Sequence, residues 1–244
     1  MLPKELKKGI YSAYRKSSFE IYIQNDDGIF VWNEKTNTVN CLTKNIKNFY
    51  ERENGRTVSF AVIDDKLIFI ATYGNGIMKL DLEKNTKTFL TKIDGIPNLD
   101  LYDMHLGKDK NLWISSNYSL IRYNPYTNKF RSFGPAEGVQ DFEFNSNTSF
   151  QSSTGELFFG GVKGLNYFFP DSIKDNSKPP VVIIQSLTKK DSILHIESTN
   201  SPLEYTIKYN ENNLSFDYVA FNYRDALHNK YAYKMEGYDE DWIY

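Results

Sequence analysis

The fold is decided by LWISSNYSLIRYNPYTNKF, residues Leu112–Phe130. This stretch reads as an apolar strand, a polar turn, a second strand and a second turn before another strand begins. Short apolar runs that are bounded by turn residues are typical of buried β-strands. At the second turn, Thr127-Asn128 supplies an asparagine, which tolerates the left-handed backbone of a tight hairpin. The stretch therefore predicts antiparallel strands joined by short turns.

The same pattern recurs along the chain. Three further segments repeat it, namely GIFVWNEKTNTV, LIFIATYGNGIMKLDLEKNTKTF and LFFGGVKGLNYFFPDSI. When the copies are aligned at their first turn, Gly28, Gly76, Ser119 and Gly164 are 48, 43 and 45 residues apart. That interval suits a four-stranded propeller blade. We therefore predict an all-β partial β-propeller of about four blades, and we expect earlier blades to be missing, because four blades seldom close a ring.

Composition narrows the function classes. The chain has 244 residues, with 29 Lys and Arg against 31 Asp and Glu, so its net charge is −2. Such a balance gives no electrostatic footprint for nucleic acid or for an anionic membrane surface. No apolar run approaches the roughly 20 residues that span a bilayer, and the N-terminus lacks the apolar region of a signal peptide. We expect no nucleic-acid partner, and contact with a membrane only through parts of a parent protein outside this chain.

Motifs for metal, cofactor or nucleophilic chemistry are absent from the sequence. The histidines His105, His195 and His228 have no ligand-like spacing, which argues against a zinc site. Cys41 is the single cysteine and reads as an inert thiol within a strand. The run Asp239–Asp241 could hold a cation but reads better as a solvated turn. We therefore predict no catalytic residue, no metal and no cofactor.

One enzymatic alternative stays open. Asp141 and Glu143 could form the pair of carboxylates that a glycoside hydrolase uses, since residues two apart on a strand point the same way. Trp32 and Trp113 could stack on a sugar ring. Trp113 lies inside the repeated motif, so we interpret it, and also Trp32, as core packing.

Propeller topology indicates where a ligand would bind. If the strands of a blade are named A to D from the axis outward, the B–C turns and the D–A connections share one rim. The D–A connections include residues 91–100 and 134–145. Loops on a rigid scaffold concentrate binding residues, and sugars need planar rings together with amide or carboxylate partners. The candidates on this rim are Tyr73, Asn75, Asn117, Tyr118, Asp141 and Lys163; the alternative is that they are ordinary turn residues.

The blades resemble the regulator-propeller repeat of hybrid two-component sensors. That repeat reads roughly aspartate-x-x-glycine-x-leucine-tryptophan-isoleucine-glycine-threonine, then a turn and a short strand ending before proline. The best copy here is Lys108–Ser116 (KDKNLWISS) with Leu120–Pro125 (LIRYNP). Serines at 115, 116 and 119 depart from the pattern. Residues 155–171 look like the final blade of that family.

The region after the propeller is similar to the opening of the three-tyrosine (Y_Y_Y) domain of the same sensors, an immunoglobulin-like sandwich. Its proposed parts are a stiff linker at Ser177–Pro180, a strand from Val181, the alternating segment Leu214–Phe221, the stretch Asn222-Tyr223-Arg224, and the tyrosine-rich run from Tyr231. The chain stops at Tyr244, so the sandwich should be incomplete. We thus expect a partial propeller over residues 1–176, and over residues 177–244 the linker with the N-terminal part of the sandwich.

The resemblance implies a periplasmic, non-catalytic region that senses oligosaccharide and relays binding towards a histidine kinase. The alternatives are a propeller glycoside hydrolase or polysaccharide lyase, and a propeller that binds other proteins. Strand edges left unpaired by missing blades would favour pairing with a second copy, so we also expect self-association as a dimer or larger, with the C-terminal region in the interface.

Overall fold

A computed structural model describes residues 3–7, 9–25, 27–49, 55–175, 180–189, 192–195, 206, 208, 213–222, 229 and 231–243. The chain divides into two compact units, Met1–Lys174 and Asp175–Tyr244. The expected domain boundary after residue 176 stays a prediction.

The first unit consists of four antiparallel sheets, each built from strands consecutive in the chain. They are β1–β4 (Ser12–Arg15, Glu20–Asn25, Gly28–Asn33, Thr38–Cys41), β5–β8 (Arg56–Val62, Leu67–Tyr73, Ile77–Asp81, Thr86–Leu90), β9–β12 (Leu101–Leu106, Leu112–Ser116, Leu120–Asn124, Lys129–Phe133) and β13–β15 (Phe144–Gln151, Leu157–Gly161, Gly164–Phe168). We refer to these sheets as the first to fourth blades, and to their strands as A to D in chain order. The predicted partial propeller is confirmed.

The turns have the predicted chemistry. In the C–D turns, Asn37, Asn85 and Asn128 adopt φ values of 53°, 53° and 54°, a conformation that asparagine tolerates better than most residues. Gly76 ends a B–C turn at φ 72°. A Cβ at this position would lie 2.4 Å from the Leu90 carbonyl oxygen, so glycine is required there.

Apolar side chains fill the spaces between neighbouring blades. One cluster joins the first and second blades, a second joins the second and third, and a third joins the third and fourth. Trp113 belongs to the third cluster and is 1% exposed, which confirms the interpretation of this residue as core. Trp32 is half-buried against a smaller cluster on the first blade.

The apolar spacing over Lys4–Tyr14, at the beginning of the chain, would also suit a helix. The structure has instead one 3₁₀ turn, Lys4–Leu6, followed by strand β1. Leu6 is fully buried beside Ile23 and Phe30. The apolar spacing therefore serves a covering turn and an A strand, not a helix.

The second unit contains one three-stranded antiparallel sheet in the order β17-β16-β18. Its strands are β16 (Val181–Lys189), β17 (Ser192–His195) and β18 (Leu214–Phe221). The predicted strands at 181 and 214 are confirmed, as is the fold class, a partial propeller followed by an incomplete immunoglobulin-like sandwich. The tyrosine-rich run contributes a bridge between Tyr233 and Ile243. Linker residues 177–179, together with Tyr223, Arg224 and His228, lie outside the described residues.

Within the described ranges, no helix is long and apolar enough to cross a membrane.

Candidate ligand-binding rim

The structure brings the B–C turns against the D–A connections, as propeller topology requires. In the second blade, the N–H groups of Gly74 and Gly76 donate to the Leu99 carbonyl oxygen at 3.1 and 3.0 Å. Tyr73 forms a backbone bridge with Asp100. The turn before strand β7 is therefore fixed to the connection that enters strand β9. We call this edge of the second, third and fourth blades the candidate rim.

Asn117 joins the third blade to the same connection. Its backbone N–H donates to the Asp100 carbonyl oxygen at 3.3 Å, and its side-chain amide donates to the Asp100 carboxylate at 3.4 Å. The Asn98 amide donates in turn to the Asn117 side-chain oxygen. These half-buried groups form an amide and carboxylate network between two blades, with donors and acceptors of the kind that recognise hydroxyl groups.

Two stacked aromatic pairs lie along the rim. The Tyr73 and Tyr102 rings are 6.2 Å apart with an interplanar angle of 23°, and the Tyr118 and Phe142 rings are 5.3 Å apart at 29°. Tyr73, Tyr118 and Phe142 are each about half exposed or more. Exposed, nearly parallel rings present flat apolar faces to a ligand, and the tyrosines add hydroxyl groups.

An ion pair lies at the end of the rim that the fourth blade forms. The Lys163 ammonium lies 3.0 Å from the Asp141 carboxylate, and the Lys163 backbone N–H donates to the Gln140 side-chain oxygen at 2.7 Å. The hydrogen bond from Lys163, together with the backbone N–H of Phe142, lowers the pKa of Asp141. Asp141 is therefore ionised at neutral pH and available as a hydrogen-bond acceptor.

The sixth candidate, Asn75, lies at the start of the rim. A Cβ added to Gly55, just before strand β5, would lie 3.4 Å from the Asn75 Cβ atom. Asn75 is half-buried, so it lies at the side of the turn next to the first strand of its own blade.

Several rim residues were not singled out from the sequence. They are Asn98, Asp100, Tyr102, Gln140 and Phe142. Burial, and then the nearby Tyr73, Glu143 and Asp100, raise the pKa of Tyr102, which links the aromatic and acidic parts of the rim. In the sequence, the signal for these five rim residues was that each lies in a predicted D–A connection or next to one. That signal does not single them out, because the connections contain many other polar residues.

The geometry assumed for a glycosidase pair is wrong. Asp141 and Glu143 precede strand β13, which begins at Phe144, so the rule that alternate strand residues share a face does not apply to them. The lowered pKa of Asp141 also disfavours it as a general acid, because a general acid must be protonated at the working pH.

No group of three or more His, Cys, Asp or Glu side chains in the described part of the chain is arranged to hold a metal ion. In the Asp239–Asp241 run, Glu240 and Asp241 are exposed, and the half-buried Asp239 accepts a hydrogen bond from the Met235 N–H at 2.7 Å.

Comparisons with known proteins give the chain its context. No family model matches it. It is 29% identical over 182 residues to Histidine kinase P4 of Formosa agariphila, an alignment that covers 71% of this chain and 13% of that kinase.

Two solved structures from B. thetaiotaomicron align with this chain. One is an extracellular domain assigned to a hybrid two-component system; it aligns at a TM-score of 0.53 and 17% identity, over 96% of this chain and 38% of that domain. The other is also an extracellular domain assigned to a hybrid two-component system, with a TM-score of 0.49 and 16% identity over 90% of this chain and 29% of that domain. This chain therefore spans well under half the length of each of these three proteins. It shares the fold of the first extracellular domain.

Proposed function

We propose that this chain is part of the periplasmic ligand-sensing region of a hybrid two-component sensor, where it binds oligosaccharide at the candidate rim without catalysing a reaction. In this proposal the second unit is the opening of a three-tyrosine domain and relays binding towards a histidine kinase. The proposal agrees with the likeness to a histidine kinase and to an extracellular sensor-system domain.

The observation that carries the ligand class is the pair of stacked aromatic contacts beside the Asn117 and Asp100 network. A sugar ring has an apolar face of C–H groups and an equatorial edge of hydroxyls. The Tyr118 and Phe142 rings suit the face, and the amide and carboxylate groups suit the edge. The ion pair at Lys163 adds one more charged donor and one more acceptor.

The test uses a matched pair of tyrosines on opposite rims. Tyr118 and Tyr126 are each 66% exposed. Tyr118 belongs to the B–C turn and Tyr126 to the C–D turn of the same blade, so each alanine substitution removes an equally exposed ring. The chain is screened against a panel of oligosaccharides by isothermal titration calorimetry. With the best ligand, Tyr118→Ala should weaken binding about fivefold or more, because stacking of one aromatic ring contributes on the order of 1 kcal/mol.

Tyr126→Ala should leave the affinity unchanged. The reverse pattern, or a sugar found in a ligand-bound structure only beside Asn85 and Asn128, would place the site on the other rim and contradict the proposal.

The non-catalytic part is tested separately with para-nitrophenyl glycosides. We expect no turnover above the buffer rate. Robust turnover that is abolished by Asp141→Ala would replace the sensor proposal with a glycosidase.

A further inference from the structure

A cleft of about 350 Å³ opens between the first and second blades, at the rim that carries the A–B and C–D turns. This rim is opposite to the candidate rim described above. One wall belongs to strands β2–β4 of the first blade, and the other to the end of β5 and the turns that follow β5 and β7. The lining residues are Glu20, Tyr22, Val31, Asn33, Thr38, Asn40, Leu42, Val62, Asp64, Asp65 and Leu82.

The first wall is polar at its outer row and more apolar at its inner row. Strand register places Glu20 opposite Asn33, and Asn33 opposite Thr38. The next row inwards is Tyr22, Val31 and Asn40. Aliphatic residues that pack on the core between these blades form the floor, namely Val31, Leu42, Val62 and Leu82. A polar mouth over an apolar floor suits a small ligand with one apolar face.

The charges in the cleft are unbalanced. Of its three carboxylates, Asp65 is neutralised by the Lys16 ammonium at 2.8 Å, and that ammonium also donates to the Tyr22 hydroxyl at 3.1 Å. Asp64 accepts the N–H groups of Lys66 and Leu67 at 2.9 Å each. These two bonds cap the turn but supply no positive charge.

Glu20 is a half-buried residue at the mouth of the cleft. Among the described residues, no donor lies within hydrogen-bond distance of its carboxylate and no cation within ion-pair distance. Three basic side chains of the neighbouring turns are already paired with other carboxylates: Arg15 with Glu34 at 2.6 Å, Lys66 with Glu83 at 3.2 Å, and Lys84 with Asp81 at 3.2 Å. A fourth, Lys35, places its ammonium 5.6 Å from the centroid of the Phe19 ring.

We propose that this cleft binds a small hydroxylated primary amine, the chemistry of an amino sugar. The ammonium group lies between Glu20 and Asp64, where it forms charge-assisted hydrogen bonds. The hydroxyl groups meet Asn33, Thr38 and Asn40, and the ring covers the aliphatic floor. The volume lies at the small end of the range for ligand sites, which fits one or two sugar rings better than a longer chain.

The first test compares D-glucosamine with N-acetyl-D-glucosamine, two sugars that differ in the charge of the nitrogen. Both are titrated into the chain by isothermal calorimetry, at a pH at which the glucosamine amine is protonated. We expect D-glucosamine to bind about tenfold more tightly, the effect of losing one charge-assisted hydrogen bond, and we expect this preference to shrink as salt is added. Equal affinities, or no binding of either sugar, would overturn the proposal.

The second test uses matched glutamates. Glu20→Gln removes the unpaired charge and should weaken D-glucosamine binding about tenfold, whereas Glu156→Gln should not, because Glu156 is the half-buried residue in the corresponding position of the fourth blade, outside the cleft. Asp64→Asn keeps the oxygen that caps the turn and should also weaken binding, which guards against a folding defect in the Glu20 variant. Unchanged affinity in both cleft variants would refute the site. Tyr118→Ala should have no effect, so that failure of the rim proposal and failure of this one are distinguishable.

Discussion

Replacing Trp113 by alanine measures how strongly packing between blades holds the propeller together. The indole is 1% exposed, and its ring lies 4.6 Å from the Phe168 ring and 5.3 Å from the Phe133 ring. Its Nε1–H donates to the Asp109 carboxylate at 3.2 Å. One side chain therefore joins the third blade to the fourth and also fixes the turn that precedes its own strand.

The expected loss of unfolding free energy depends on the size of the cavity that removal of the Trp113 indole leaves. Truncating a fully buried Trp to alanine costs roughly 3–5 kcal/mol of unfolding free energy. Loss of the indole hydrogen bond adds little, because the Asp109 carboxylate still accepts from the Asn111 amide at 2.7 Å. For a protein of this size we expect the melting temperature to fall by roughly 6–20 °C and the urea midpoint by roughly 1–3 M.

The assay is urea and thermal unfolding followed by far-ultraviolet circular dichroism, which does not depend on the fluorophore that is removed. Trp242→Ala is the matched control, because Trp242 is 58% exposed and surface substitutions stay within about 0.5 kcal/mol. A Trp113→Ala protein as stable as the control, with the same denaturant slope, would show that the blades are not held together by this contact.

Three other predictions concern stability and assembly. Gln24→Leu should raise the unfolding free energy by about 1–3 kcal/mol, because both polar atoms of this fully buried amide lack a hydrogen-bond partner among the described residues; Gln151→Leu, which removes a hydrogen bond, should not raise it, and a lower unfolding free energy in both variants would contradict this prediction. Burial lowers the pKa of His105 to about 4 from 6.5, so the unfolded chain binds the proton first and stability should fall as the pH drops from about 6.5 to about 4; His105→Gln should flatten that part of the pH profile in urea melts, and identical profiles would exclude the effect. We also propose that the chain self-associates through the second unit, where Val181 and Val182 are 68% and 55% exposed; light scattering over a concentration series should show a dimer or larger, and a monomer at high concentration would refute this.

The turns and strands of the blades could be predicted because their signals are local. Asn85 and Asn128 adopt the left-handed conformation that their residue type favours, at the positions where the repeat places a turn. The alternation in Leu214–Phe221 likewise predicted a strand. Strands β1 and β2 were missed, because the turn that joins them, Lys16–Phe19, contains neither glycine nor asparagine.

The composition of the candidate rim could be predicted only in part. Topology alone places the B–C turns beside the D–A connections, and the structure shows that contact for Asn117 and Asp100. The stacking partner of Tyr118 could not be identified, because the position of Phe142 depends on how the fourth blade packs on the third. The cleft beside Glu20 was missed for the same reason, since a space between two sheets has no signature in either strand.

Substitutions at the rim differ in how clearly they separate an effect on ligand binding from an effect on folding. Asn117 is bonded to Asn98 and Asp100, so its replacement would disturb the connection between two blades as well as any bound ligand. Tyr118 is largely exposed and its ring stacks on Phe142 at the surface, so its removal should cost little folding free energy. If Tyr118→Ala loses ligand affinity while its urea midpoint stays unchanged, the loss is one of binding. If affinity and midpoint fall together, the aromatic pair belongs to the packing between blades, and Tyr118 does not serve as a platform for a sugar.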